Sequence, residues 1–139
     1  MEIQQALDAV RTNRQAILTT IKADGRPQLS NVLAAVGDDG LVRVSTTADR
    51  AKYVNLRRTP WAAIHVNGGS FWSYAVLEGD VTTSAVVAEP HDEAAEELVE
   101  LYRALAGEHE DWEDYRAALV RDQRVVVRVA ATHAYGMLR

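Results

Sequence analysis

Ile3, Ala6, Leu7 and Val10 recur at helical spacing, which predicts an amphipathic helix over the first dozen residues, packed against the body of a domain. From Gln15 to Ala23 the chain is largely apolar or β-branched, and Asp24-Gly25 with Arg26-Pro27 supplies a turn before the pattern resumes from Gln28 to Val36. A hairpin is expected there. Asp38-Asp39-Gly40 makes a second turn, after which Val42 and Val44 alternate with Arg43 and Ser45 as in a half-buried strand. Asp49 to Arg58 is short, polar and closed by Thr59-Pro60, so it reads as a brief helix ended by the proline. Strand character returns from Trp61 to Val66. Asn67 to Ser70 is a turn, and Phe71 to Glu78 then Asp80 to Val87 read as further strand with a bulge or bend at Gly79.

Beyond Pro90 the period changes to 3.6, with Ala94, Leu98, Leu101, Tyr102 and Leu105 on one face and glutamates on the other, until Gly107. Asp111 to Val120 predicts another helix, and Val125, Val127 and Val129 mark a last strand over Arg124 to Ala131. Many antiparallel strands with helices at the ends describe a mainly β (α+β) fold: a β-barrel with peripheral helices, not a parallel α/β sheet.

The length of 139 residues, 47% of them hydrophobic, fits a single domain over 1–139 with a real core. No apolar run approaches the roughly 20 residues of a membrane span, and Met1-Glu2-Ile3-Gln4-Gln5 lacks the pattern of a signal peptide. A cytoplasmic location is expected, with no membrane partner. The chain has no cysteine, which excludes disulfides, thiolate metal sites and cysteine nucleophiles. Its net charge of −5 disfavours nucleic acid as a partner.

Against that acidic background Arg50, Lys52, Arg57 and Arg58 stand within nine residues, just after Ser45-Thr46-Thr47 at a strand end. Hydroxyls, the free N–H groups of a helix start and nearby cations are what a phosphate needs. A solvated helix face would present the same residues. At about 100° per residue Arg50 and Arg57 fall on one side of a helix and Lys52 points away, so one anion would not use them all. Trp72 and Tyr74 share one face if both lie in a strand, where they could wall a flat ligand or simply pack. Trp61 and Trp112 read as packing. His65, His91, His109 and His133 show no metal-ligand spacing, and the acidic run Glu108 to Asp114 lacks the glycine of a calcium loop. Neither a nucleophile elbow nor a dinucleotide fingerprint is present.

The segments Leu18 to Val32, Asp49 to Pro60, Trp72 to Gly79, Leu101-Tyr102-Arg103, Gly107-Glu108-His109, Asp111 to Arg116 and His133 to Gly136 closely resemble the actinobacterial F420-dependent branch of the pyridoxamine-5′-phosphate-oxidase-like family. That resemblance spans nearly the whole chain. It implies a split β-barrel homodimer, with each cofactor in a groove lined by both subunits. Carried over by position, Ser45, Arg50 and Lys52 would hold the cofactor's phosphate with Thr46 nearby. Gln28, Ser30 and Asn31 would face its rings. Trp72 and Tyr74 would wall the site from the partner subunit, and Arg57 and Arg58 would serve the cofactor's anionic tail or the structure. The implied activity is hydride transfer from reduced coenzyme F420 to a small-molecule acceptor of enone or quinone type. No catalytic side chain is assigned, although Tyr74 is the best candidate for a proton donor. An FMN-dependent oxidase and a non-catalytic F420 carrier are the alternatives. Leu33-Ala34-Ala35 stand where similar proteins carry bulkier residues, and the last strand lacks the Arg/His pattern of pyridoxine-phosphate oxidases.

Overall fold

A computed structural model describes residues 1–139. Its strands are β1 (Gln15–Ile21), β2 (Pro27–Leu33), β3 (Ala35–Val36), β4 (Val42–Thr47), β5 (Trp61–Asn67), β6 (Tyr74–Thr83) and β7 (Arg124–Met137). The helices are α1 (Ile3–Thr12), α2 (Ala51–Arg58), α3 (Glu93–Ala106) and α4 (Trp112–Arg121). All seven strands form one antiparallel sheet in the order β2-β1-β5-β6-β7-β4-β3. The sheet curls until β2 approaches β4, giving the split barrel. No helix is long and apolar enough to cross a membrane.

Inside the curl, Leu18, Val42, Val44, Ile64, Val66, Leu77, Val127 and Val129 form the main core, and α1 plugs it with Ala6, Leu7 and Val10. A second core lies outside the sheet, where Leu98 and Leu101 of α3 and Leu119 of α4 pack on Val126 and Ala35. Between that helical layer and the sheet, Glu97 accepts from Arg128 at 2.6 and 2.7 Å and from Arg43 at 2.8 Å.

Several expected boundaries move. The segment Gln28 to Val36 is two strands, because Ala34 leaves the ladder to donate to the Arg14 carbonyl at 2.8 Å. Strand β3 is so short that Val44 to Thr47 keep one edge of β4 without a ladder partner, and β2 likewise has a free outer edge. These open edges flank the split. Phe71 and Trp72 lie outside β6, because the turn runs on to Ser73: the Gly68 N–H donates to the Ser73 carbonyl at 2.6 Å, and Asn67 Nδ2 to the Phe71 carbonyl at 3.2 Å. At the other end β6 stops at Thr83, where Ser84 Oγ stands in for a carbonyl and accepts from the Val126 N–H at 2.9 Å.

β7 continues six residues past the expected end at Ala131, to Met137. The register shifts opposite Glu78 and Gly79, leaving Thr132 as the extra residue of a bulge. Gly79 is required there, since a Cβ would meet the Ala130 carbonyl oxygen at 2.0 Å. The bulge also reverses parity. Val125, Val127 and Val129 point inward before it, whereas Ala134 is the buried position after it and His133, Tyr135 and Met137 face out.

Candidate functional site

The β4–α2 loop and the α4–β7 turn meet at one end of the split. The Ala48 N–H donates to the Gln123 carbonyl at 3.0 Å, and Gln123 holds the left-handed conformation, φ 53°, to make that turn. A non-glycine residue there carries a conformational cost, often found beside ligand sites. The turn sets Arg124 at the start of β7, opposite Thr47, with its guanidinium 3.4 Å from Ser45 Oγ. Ser45 and Arg124 therefore face outward, while Thr46, the next residue on β4, is buried on the interior face.

Arg50 is not a helical residue. Its φ of −76° and ψ of 144° make it the extended N-cap of α2, so the helical-wheel separation expected between Arg50 and Lys52 does not apply. Burial, then the positive charges of Arg50 and Arg124, holds the Lys52 ammonium below its ordinary pKa. None of the three cations has a carboxylate within ion-pair distance. The two acidic side chains on the rim are engaged: Asp49 accepts from Thr47 Oγ1, and Asp122 from Arg121 at 3.1 Å. No side chain caps the first turn of α2, so its leading N–H groups also stay open. Clustered like charges without direct ion pairs repel one another, a cost that an anion bound among them offsets.

Beside Arg50 and Arg124 lies a cavity of about 420 Å³, bordered also by Arg121 and Gln123 and by the two rim carboxylates, Asp49 and Asp122. Arg124 is shared with an apolar cavity of about 300 Å³ under Leu33, Tyr102, Leu105 and Tyr115. Leu33 is shared in turn with a cavity of about 470 Å³ at Asn31, Ile17 and His65. Charged, aromatic and mixed surfaces thus adjoin, as a long amphipathic ligand requires.

The residues of β2 divide by parity. Gln28 and Ser30 pair with Thr20 and Leu18 and face the interior, whereas Asn31 pairs with Ile17 and faces out. One face of a strand cannot present both, so Asn31 does not join Gln28 and Ser30. Ser30 Oγ is buried without a hydrogen-bond partner. Trp72 and Tyr74 also part company. Trp72 is 70% exposed in the turn, edge-on to Phe71, while Tyr74 stacks on His65 at 5.5 Å on the outer face of the sheet. Both lie where β5 meets β6, beside Asn13 and the start of β1, and α2 packs towards the far end of that strand. Within one chain the aromatic pair and the cations do not converge.

Arg57 lies 6.0 Å from the Tyr53 ring, and Arg58 is structural, donating to the Ile21 carbonyl and to Asn55. Trp112 packs in a cluster with Tyr102, His109 and Tyr115, as a packing residue should. Nothing in the sequence singles out Arg124 or Asn55. Arg124 reads there only as a strand start, and nothing local signals that its side chain meets Ser45 from 79 positions away. Asn55 is a buried polar residue in a short polar helix, where the sequence offers no mark of burial.

The family model for pyridoxamine 5′-phosphate oxidase matches residues 3–138. Among solved structures, a conserved hypothetical protein from Mycobacterium tuberculosis is 26% identical with a TM-score of 0.71, over 96% of this chain and 82% of that one. An F420 reductase is 24% identical with a TM-score of 0.64, over 87% and 88% of the two chains. A pyridoxamine 5′-phosphate oxidase-related, FMN binding protein from Nostoc punctiforme is 16% identical with a TM-score of 0.60, over 95% and 79%.

Proposed function

The chain belongs to the pyridoxamine 5′-phosphate oxidase family, and on that premise we propose that it is a homodimeric oxidoreductase that holds coenzyme F420 and passes hydride from it to a small organic acceptor. The observation that carries this reading is the group of cations without ion pairs, Arg50, Lys52 and Arg124, beside the Ser45 hydroxyl. The donor set suits a phosphate: cations that can bond different oxygens, a hydroxyl and open backbone N–H groups. Ser30 Oγ, buried and unpartnered, supplies a second polar point on the interior face of β2 for a ring system. The residues present therefore fit a flat ligand with an anionic arm.

Reduced F420, when bound, supplies a hydride from its ring carbon. The protein's part is to anchor the phosphate through Lys52, Arg50 and Arg124, to fix the ring against β2 and to keep water from it. The proton that completes reduction of an activated double bond comes from solvent or from Tyr74. In this reading Trp72 and Tyr74 reach the site from the partner, which is how residues at opposite ends of one sheet come to share one ligand. A second copy is supported by the outer sheet face, where Leu29 is 60% exposed and Leu33 53%.

The test is equilibrium binding of F420 and of FMN to wild type, Lys52→Ala and Arg124→Ala, followed by oxidation of the reduced deazaflavin with a panel of enones and quinones. Each substitution is expected to weaken F420 binding about tenfold to a hundredfold, equivalent to a charge-assisted contact of about 1.5–3 kcal/mol. Tight FMN binding with weak F420 binding identifies an FMN-dependent oxidase instead. F420 binding without turnover identifies a carrier.

A further inference from the structure

Gln28 faces the interior from β2, and its amide oxygen is fully committed. Thr20 Oγ1 donates to Gln28 Oε1 at 3.3 Å and Asn55 Nδ2 donates to the same oxygen at 3.0 Å, filling both lone pairs. Asn55 gives its remaining N–H to Thr20 Oγ1 at 3.1 Å. Amide groups are nearly symmetric in shape, so their direction must come from the network. Here it is set from outside. Arg58 Nη2 donates to Asn55 Oδ1 at 3.1 Å and to the Ile21 carbonyl at 3.0 Å, and a guanidinium has only donors to offer. The oxygen of Asn55 must therefore face Arg58 and its nitrogen must face Gln28. Gln28 in turn is left with its oxygen pointing at Asn55 and its nitrogen pointing away. That nitrogen finds no partner in the chain, and it is not among the buried unpartnered atoms, so it stays open to solvent or ligand. Two residues along the same face is the orphaned hydroxyl of Ser30.

From this one-way chain we propose that Arg58 and Asn55 are positioning residues that commit Gln28 to donate, so that the ligand of the split presents a ring carbonyl oxygen to Gln28 Nε2. The ligand's identity rests on the cofactor reading above; the direction of the amide does not. Flavin and deazaflavin rings both carry carbonyl oxygens on their pyrimidine edge, and a ring offering only donors there would be rejected, because a mismatched buried polar pair leaves both groups unsatisfied.

Asn55→Asp tests the direction. The carboxylate keeps the contact with Arg58 at nearly the same volume but cannot donate, so the Gln28 amide turns its nitrogen inward and shows its oxygen to the ligand. F420 binding is expected to weaken about tenfold to a hundredfold, as it should in Gln28→Ala. Combined with Gln28→Ala, Asn55→Asp should cost nothing more, since it acts only through Gln28. Side-chain amide exchange by NMR reads the same switch without cofactor: the Gln28 amide protons exchange quickly in wild type and slowly in Asn55→Asp. Should Asn55→Asp fail to fold, Gln28→Glu keeps the acceptor for Asn55 and Thr20 and removes only the outward donor. Unchanged F420 affinity in Gln28→Glu, additive losses in the double variant, or protected Gln28 amide protons in wild type would each overturn the proposal. Wild type that binds neither F420 nor FMN would remove the cofactor reading, while the exchange measurement would still decide the amide's direction.

Discussion

The two halves of β7 are built from one run of alternating residues, yet their outer faces meet different fates. Before the bulge, Arg124, Val126 and Arg128 face out under the helical layer, where Val126 joins the second core and Arg128 binds Glu97. After it, His133, Tyr135 and Met137 face out and join neither core; Tyr135 is 45% exposed and Met137 48%. The first half has finished its packing within one chain, and the second has left it open. Charge divides the covered half itself. Arg128 is ion-paired with Glu97, whereas Arg124, at the very start of the strand, has no carboxylate within ion-pair distance. A paired and an unpaired arginine on one strand are thus told apart by their surroundings, not by their type.

The sharpest way to break this comparison is to charge the bare face. Leu29→Asp combined with Met137→Asp should raise the dissociation constant of the proposed homodimer more than a hundredfold while leaving the fold of each subunit intact, because a desolvated charge at an apolar interface has nothing to pair with. Sedimentation velocity over a concentration series checks it. A wild-type monomer at micromolar concentration would remove the premise that the bare half awaits a second copy.

On the covered half, Glu97→Ala should destabilise the fold by about 2–3 kcal/mol, because it leaves Arg128 half-buried without an acceptor and Arg43 with Asp39 alone. The hydrogen bonds from Arg128 and Arg43 hold the Glu97 carboxyl below its ordinary value, and those from Arg43 lower Asp39 to about 2. Both pKa values are depressed on folding, so this stabilisation is complete above the ordinary carboxylate range. It is lost as pH falls through the folded values, for Asp39 between 3.8 and about 2. Urea denaturation across that acid range should show a shallower pH dependence in Asp39→Asn than in wild type.

The smallest effect belongs to the cation cluster. Lys52→Gln should leave the ligand-free protein as stable as wild type, or raise its melting temperature by about 1–3 °C, since it removes a charge that burial and two arginines already disfavour. Calorimetry with and without F420 separates the roles: ligand should protect wild type and protect the variant less. A marked loss of stability in the ligand-free variant would make Lys52 a structural residue.

Much of this molecule was legible along the chain, because the signals involved are short in range. Periodicity placed α1, α3 and α4 to within two or three residues, turn chemistry at Asp24-Gly25 and Asp38 to Gly40 separated the strands, and Gly79 marked the bulge. The charged run from Arg50 to Arg58 stood out against an acidic background for the same reason. What the chain could not declare was anything requiring two distant segments at once. Period two carries Val125, Val127 and Val129 inward and would carry His133 and Tyr135 with them; only the register against β6, with Thr132 looped out, turns them to the outside. The same dependence on register sets Asn31 apart from Gln28 and Ser30, and the turn that extends to Ser73 takes Trp72 out of the strand that Tyr74 begins. Arg124 joins Arg50 and Lys52 only when the α4–β7 turn closes on the β4–α2 loop, and Asn55 acquires a direction only from Arg58 on one side and Gln28 on the other. Sequence determined which elements form and where the unusual chemistry lies, since propensity, period and turn type act over a few residues. Tertiary structure decided which side chains share a site, because pairing register and loop closure are settled between segments far apart in the chain.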